Sequence, residues 1–324
     1  MSQSAKKKIL AIINPISGTS RKEYVPETLN TFIDKEKFSI TTRFTQHQGH
    51  ATTLTKEAIK DNYYAVVAIG GDGTINEVAS AICGSDVALG IVPCGSGNGL
   101  ARHLGIPVNI EKAINILNLD NVESMDYCTV NDIPFFCTCG VGFDAHVSEK
   151  FAQSSRRGPL TYVQNALVEY LKYRPQKYIL EMNEGIISED AFLIACGNAS
   201  QYGNNAFIAP HANIQDGEMD ITILSPFGPL DIPPLAIQLF TKQIDKHSKI
   251  KTFKGKKMTI IRQYPGVMHL DGEPIMADGQ IEISIIPKSL RVITPETVSL
   301  TEEVQHLFGE VSRFFDKKLP YIFK

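Results

Sequence analysis

The sequence predicts an α/β amino-terminal domain on a parallel sheet, then a mainly antiparallel β-sandwich domain, then a carboxy-terminal helix packing back on the body. Three observations predict it. Between residues 9 and 118 short apolar runs alternate with helical patterns, as in a parallel sheet covered on both faces. Between Val122 and Pro295 strand-like runs dominate, as in a sandwich. Beyond them Val304, Leu307, Phe308, Val311, Phe314 and Phe315 recur at three-four spacing, the period of a helix with one apolar face. The expected domains are 1–128, 129–295 and 296–324.

In order, "ILAIIN" at 9–14 reads as a buried strand, 20–35 as a polar helix, "FSITTRF" at 38–44 as a strand and 50–61 as a helix. Residues 64–69 form a buried strand, 74–83 a helix, "ALGIVP" at 88–93 another strand, and helices follow near 97–104 and 110–118. The second half reads as "SMDYCTVN", "IPFFCTCG", "KYILEMN", "AFLIACGN", "MDITIL", "KKMTII", "IEISIIP" and "LRVITP", interrupted by helices near 159–174 and 231–241.

The 324 residues carry a net charge of −3 with 43% hydrophobic and 21% charged residues. That balance gives no footprint for nucleic acid. Six cysteines without paired CxxC spacing argue against a zinc site and for a reducing, cytoplasmic setting. No apolar run reaches the ~18 residues of a membrane span, and "ILAIIN" is too short for a signal peptide. A membrane substrate is therefore to be reached transiently, from the surface. Arg313, Lys317, Lys318 and Lys324 interleave with aromatic residues in the tail, which keeps a membrane-dipping helix open as its alternative role.

The chemistry concentrates in "VVAIGGDGTINEVASAI" at 66–82. A buried strand runs into Gly70, Gly71, Asp72 and Gly73, and a helix begins at Thr74. Ligands bind beyond the carboxyl ends of such strands. Glycines let amides approach an anion, and a helix start adds a positive dipole end; Thr74 and Glu77 have the spacing of a capping box. Asp72 would repel a bare phosphate, which implies a bridging Mg²⁺ or a hydroxyl. The pattern recurs: "INPISG" at 13–18 ends the first strand and "VPCGSGNG" at 92–99 another. Three such loops in order are the expectation for a nucleotide site. Neither a Walker A loop nor a GxGxxG fingerprint fits here.

NPxSG, then GGDGTxNE, then PxGSxN resembles the diacylglycerol kinase catalytic-domain family, most closely soluble bacterial lipid kinases and their sphingosine kinase relatives. The resemblance covers nearly the whole chain and implies an NAD kinase/phosphofructokinase-like α/β domain followed by a β-sandwich. It implies ATP, with Mg²⁺, in the cleft between the domains. Carried over, the nucleotide contacts are Asn14, Pro15, Ile16, Ser17, Gly18, Thr45, Gly70, Gly71, Asp72, Gly73, Thr74, Ile75, Asn76 and Ser96.

"VMHLDGEPI" at 267–275 sets Asp271 and Glu273 around one glycine. Residues two apart share a side of an extended chain, so one acid could deprotonate a hydroxyl while the other orients it or holds metal; Asp-Gly is also a hairpin signal. The resemblance gives this segment the general base, either acid being eligible, with Glu273 preferred and Asp72 and Asp271 beside it. It also implies a metal loop in "ANIQDGEMDITIL", with a side-chain oxygen from Asp216 and backbone oxygens from Asn213 and Glu218. "GVGFDA" at 140–145 reads as a close-packed turn near the cleft; the resemblance implies that its Asp144 borders the acceptor pocket, where it could pair with a sphingoid ammonium. His269 stands alone and reads as structural. Gly99 departs from the bacterial pattern, which has an Asp there, and leaves metal handling to Asp72, Asp126 and Asp271.

The expected activity is an ATP-dependent lipid kinase acting on a hydroxyl of diacylglycerol or a sphingoid base, with peripheral membrane contact and a homodimer left open. The alternatives are an NAD kinase-like enzyme, disfavoured by the first and third motifs, and a non-catalytic nucleotide-binding regulator.

Overall fold

Strand β1 (Lys7–Ile13) buries Ile9 through Ile13 without a break, so both of its faces are covered. It lies between β2 (Phe38–Phe44) and β3 (Ala65–Gly70), and β4 (Ala88–Pro93) extends the sheet; all these pairs are parallel. Register decides where the loops meet. Ile13 aligns with both Phe44 and Ile69, and Gly70 aligns with Pro93, so the segments after all four strands leave one edge together. Helices α1 (Val25–Phe32), α2 (His50–Lys60), α3 (Asp72–Ile82), α4 (Gly99–His103) and α5 (Ile110–Leu119) connect them. Val66, Val67, Ile69, Val78, Ile91 and Ile114 lie in one core, and burying each such side chain contributes about 1.5–3 kcal/mol. The computed structural model describes residues 5–18, 22–153, 169–183 and 185–296.

The second half comprises β5 (Val122–Val130), β6 (Ile133–Phe135), β7 (Thr138–Gly142), α6 (Phe143–Gln153), β8 (Gln176–Met182), β9 (Gly185–Ala191), β10 (Leu193–Gly197), β11 (Met219–Leu224), α7 (Ile232–Phe240), β12 (Ile250–Gly255), β13 (Lys257–Arg262), β14 (Gly266–Leu270), β15 (Glu273–Ala277) and β16 (Gln280–Ile293). Strand β16 joins the halves. It pairs parallel with β4 at Val292 and Leu89 and antiparallel with β5 and β13. Among the described residues the first sheet therefore runs β2-β1-β3-β4-β16-β13-β8-β9, with β5 and β6 attached through β16. The second runs β12-β11-β10-β7-β14-β15.

The two sheets enclose a core in which Tyr178, Ile260 and Ile283 meet Val141, Ile194 and Ile221. Alternation along β10 sends Ile194 and Cys196 into it and Leu193 and Ala195 to the other face, where α7 packs, as the two-residue period of a strand requires. Cys137 precedes β7 and packs in the first core, while Cys139 packs in the second, so the two do not share one strand face.

Three expectations are corrected. Helix α3 begins at Asp72, with Gly71 as its extended N-cap and no side-chain capping bond. Glu77 instead accepts from the amides of Gly49 and Ala51 at 2.9 and 3.0 Å, so it caps α2. "GVGFDA" is a strand end and a helix start: Gly142 has φ +102° and α6 follows. The runs "IEISIIP" and "LRVITP" are one strand, bulged between Ile286 and Leu290. The expected helix at 159–174 falls largely, and the tail helix wholly, outside the described residues. No helix among the described residues is long and apolar enough to cross a membrane.

Candidate active site

Each glycine loop touches the next. A Cβ on Gly18, whose φ is +67°, would lie 2.1 Å from the Cys94 carbonyl oxygen, and one on Gly71 would lie 3.2 Å from the Gly95 Cα. The first approach admits only glycine, and the second is tight for any side chain. Asn14 ties the first loop to the second, its Nδ2 donating to Thr74 Oγ1 at 3.0 Å, and its Oδ1 accepts from the Ile16 amide at 3.1 Å. The Ser17 hydroxyl donates to the Asn14 carbonyl. Thr45 stands beside them, its amide donating to the Ile13 carbonyl.

Asp72 ties the second loop to the third. Its Oδ2 accepts from the Asn98 amide at 2.9 Å and its Oδ1 from the Gly99 amide at 2.7 Å. Burial raises the Asp72 pKa above its ordinary value; those two amides oppose the rise and the charge of Asp271 adds to it. Asn98 holds the third loop closed by exchanging bonds with the Gly95 backbone through Oδ1 and Nδ2. Ser96, Pro15 and Ile16 on the loops and Gly73 in the first turn of α3 are exposed, whereas Thr74 and Ile75 are buried; the Ile75 side chain belongs to the core and its amide donates to the Gly71 carbonyl.

The β14–β15 hairpin comes to this edge from the second half. Asp271, with φ +49°, accepts four hydrogen bonds. Oδ1 takes the amides of Cys137 and Thr138 at 2.7 and 3.1 Å, and Oδ2 takes the Phe136 amide and Asn76 Nδ2 at 2.9 and 2.8 Å. Its acceptor capacity is filled. Burial raises its pKa, against the pull of these donors. Glu273 is exposed, and its Oε1 would lie 3.7 Å from a Cβ on Gly73, at the first turn of α3. The two acids thus differ in kind: one is locked and one is accessible.

A hard divalent ion takes oxygen ligands with free lone pairs, and among the described residues no group of three or more His, Cys, Asp or Glu side chains gathers to hold one. Asp72, with one amide on each oxygen, keeps capacity for it; Asp271 does not. The 213–218 loop does not fit a metal in the same way. Asp216 Oδ2 accepts from Lys254 Nζ at 2.8 Å, the same ammonium lies 3.1 Å from Asp220, and Asp216 Oδ1 accepts from the Glu218 amide. The Asn213 carbonyl accepts from the Asp216 amide at 3.4 Å. Lys254 therefore supplies the positive charge there. Asp126 is fully buried and accepts from the Gly217 and Lys288 amides, both at 2.7 Å, bracketing that loop to the β16 bulge.

Asp144 is 5% exposed. Its Oδ2 accepts from the Tyr202 hydroxyl at 2.9 Å and lies 3.1 Å from His269 Nε2, and its Oδ1 accepts from the Ala145 amide. An incoming ammonium would have to displace these partners. Sequence reasoning passed over Lys22, which is buried with Nζ 3.9 Å from a Cβ placed on Gly18. A basic residue four positions beyond the first glycine loop was the available signal.

Residues 8–130 match the diacylglycerol kinase catalytic domain, and residues 137–294 match the YegS C-terminal NAD kinase beta sandwich-like domain. The probable lipid kinase YegS of Escherichia coli O6:K15:H31 is 30% identical over 268 residues, covering 81% of this chain and 88% of that one. An uncharacterized protein of Synechocystis, sll0036, is 26% identical over 303 residues, covering 88% and 69%. Among solved structures, a diacylglycerol kinase from Bacillus anthracis superposes with a TM-score of 0.69 at 20% identity, covering 91% of this chain and 99% of that one. An NAD kinase from Archaeoglobus fulgidus in complex with ATP gives 0.50 at 13% identity, covering 94% and 98%. The fold is thus NAD kinase-like in the α/β half and a β-sandwich in the second.

Proposed function

Because the chain belongs to the YegS-like lipid kinase family, with a diacylglycerol kinase catalytic domain in its first half, we propose that it transfers the γ-phosphoryl group of ATP to a hydroxyl of diacylglycerol or a sphingoid base. One observation carries this reading: three interlocked glycine loops lie at the start of α3, and the one accessible acid of the hairpin, Glu273, faces the same turn.

The glycine loop from Gly70 to Asn76 at the positive end of α3, with the Asn14 to Gly18 loop, Thr45 and Ser96 around it, cradles the phosphates. Asp72 would hold Mg²⁺, which supplies charge neutralisation when bound with the nucleotide. Glu273 takes the proton of the acceptor hydroxyl as its oxygen attacks the γ-phosphorus and ADP leaves. Asp271 positions the hairpin through its four bonds. The work is orientation and charge neutralisation, as phosphoryl transfer requires. The acceptor resides in a bilayer, so turnover takes place at a membrane surface facing the cytoplasm.

ADP release measured with diacylglycerol, sphingosine or NAD as acceptor tests the reading. Release driven by either lipid supports it. Release driven by NAD alone supports an NAD kinase, and nucleotide binding without release supports a regulator.

A further inference from the structure

Helix α7, "IPPLAIQLF", carries no charged residue. Its inner side is ordinary: Leu235 is 7% exposed, and Leu239 packs beside it on the outer face of the second sheet. Its outer side is not. Ile237 is 64% exposed and Phe240, one turn on, is 52% exposed. Leu230, in the short turn before the helix, is 92% exposed. A helix apolar on both sides belongs in a core or against lipid, and single exposed apolar residues are common where a contiguous stripe is not.

Charge completes the surface. Lys242 and Lys246 are exposed just beyond the helix, and Lys242 Nζ lies 4.6 Å above the Phe207 ring. The nearby acids are engaged elsewhere: Asp231 accepts from the Gly228 amide, and Asp245 lies 3.3 Å from His211. The helix is also tied to the candidate active site. The Phe207 amide donates to the Leu239 carbonyl, and in the same loop the Asn204 amide donates to the Gly97 carbonyl of the third glycine loop.

We propose that the outer face of α7 is the surface on which this protein seats on an anionic bilayer, with Leu230, Ile237 and Phe240 entering the acyl boundary and Lys242 and Lys246 meeting headgroup phosphates. The reading deepens the lipid kinase assignment and rests on it for its purpose: a membrane seated on α7 presents its lipids beside the third glycine loop.

Flotation of the full-length protein with vesicles tests it, using pure phosphatidylcholine and phosphatidylcholine with phosphatidylglycerol at roughly three to one. Wild type floats with the anionic vesicles. Ile237→Glu with Phe240→Glu lowers binding by at least about tenfold. Lys242→Glu with Lys246→Glu lowers binding to anionic vesicles by about fivefold for each lysine and leaves binding to phosphatidylcholine unchanged. The second pair replaces two exposed lysines, of which Lys246 has no ring contact among the described residues, so Lys246→Glu alone reads the surface even where the other variants fail to fold. Wild type remaining unbound, or any folded variant binding as wild type does, overturns the proposal. A parallel arm separates the two readings: with soluble dioctanoylglycerol both pairs retain wild-type turnover, while with vesicle-embedded diacylglycerol they lose it. Wild type that floats but phosphorylates neither form, nor sphingosine in the same vesicles, would sink the kinase reading and leave the docking surface standing.

Discussion

Asn76 Nδ2 donates to Asp271 Oδ2 at 2.8 Å, so the first helix of the glycine loop holds the turn of the acidic hairpin. Asn76 lies on α3 and Asp271 at the tip between β14 and β15, 195 positions apart. With the amides of Phe136, Cys137 and Thr138 on the same carboxylate, this bond fixes where Glu273 stands relative to Gly73.

Asp271→Asn is expected to lower stability. An amide offers fewer acceptors than the four donors require and turns its own NH₂ toward some of them. Each buried donor left unmet costs about 1–3 kcal/mol, so a loss of about 2–5 kcal/mol should appear in urea unfolding. An unchanged midpoint would show that the bracket is dispensable.

Glu273→Gln should do the reverse. The side chain is exposed, so the melting temperature stays at the wild-type value. Turnover falls by about 10²–10⁴, the range for a lost general base, with little change in ATP affinity. Steady-state kinetics beside thermal melts read both, and wild-type kcat would remove Glu273 from proton transfer.

Gly99 is not a vacant place for a metal-binding acid. A Cβ there would lie 3.3 Å from Cys137 Sγ and 3.4 Å from the carbonyl oxygens of Gln201 and Tyr202, and the Gly99 amide already serves Asp72. Gly99→Asp puts a carboxylate against two carbonyls and should lower both stability and turnover. A rise in turnover under matched Mg²⁺ would contradict this.

His103 gives the fold a pH dependence. Its Nδ1 accepts from the Ser200 amide at 3.1 Å, which requires the unprotonated ring. Burial, with the charge of Lys242, lowers its pKa to about 4 from an ordinary value near 6.5. The unfolded chain therefore takes up this proton first as pH falls. Its contribution is complete above about pH 6.5 and is lost toward pH 4, amounting to about 3 kcal/mol. His103→Gln should flatten the fall in melting temperature across that window; an unaltered slope would assign it to other groups.

Asp144 bears on the choice of acceptor. Its oxygens are held by Tyr202, His269 and the Ala145 amide, so a sphingoid ammonium would have to displace these partners to pair with it. Diacylglycerol and sphingosine competed in mixed micelles should show no preference for sphingosine. A preference of about tenfold or more, the worth of a charge-assisted contact, would mean that Asp144 opens to substrate.

The alternating halves and the glycine loops were legible because they are local: buried strands read as unbroken apolar runs, and close backbone approach demands glycine. What escaped was set by distant partners. Glu77 has the spacing of its own helix's cap, yet α2 takes it. Sequence places Asp72 among the glycines of its own loop, but its amide partners, Asn98 and Gly99, lie on the next. Strand β9 is polar because its side chains are largely exposed at a sheet edge, and Pro287 concealed the continuity of β16 because the bulge accommodates it. Asp271 and Glu273 look alike in sequence, and only the donors around Asp271 tell them apart.

The central claim is tested most directly by following the γ-phosphate. Wild-type protein is incubated with γ-labelled ATP, Mg²⁺ and vesicles carrying diacylglycerol and sphingosine, with NAD in the aqueous phase, and the label is traced after organic extraction. The account predicts label in the lipid fraction, with Glu273→Gln reducing it by about 10²-fold or more. Label in NAD with none in lipid, or equal transfer by Glu273→Gln, would contradict it.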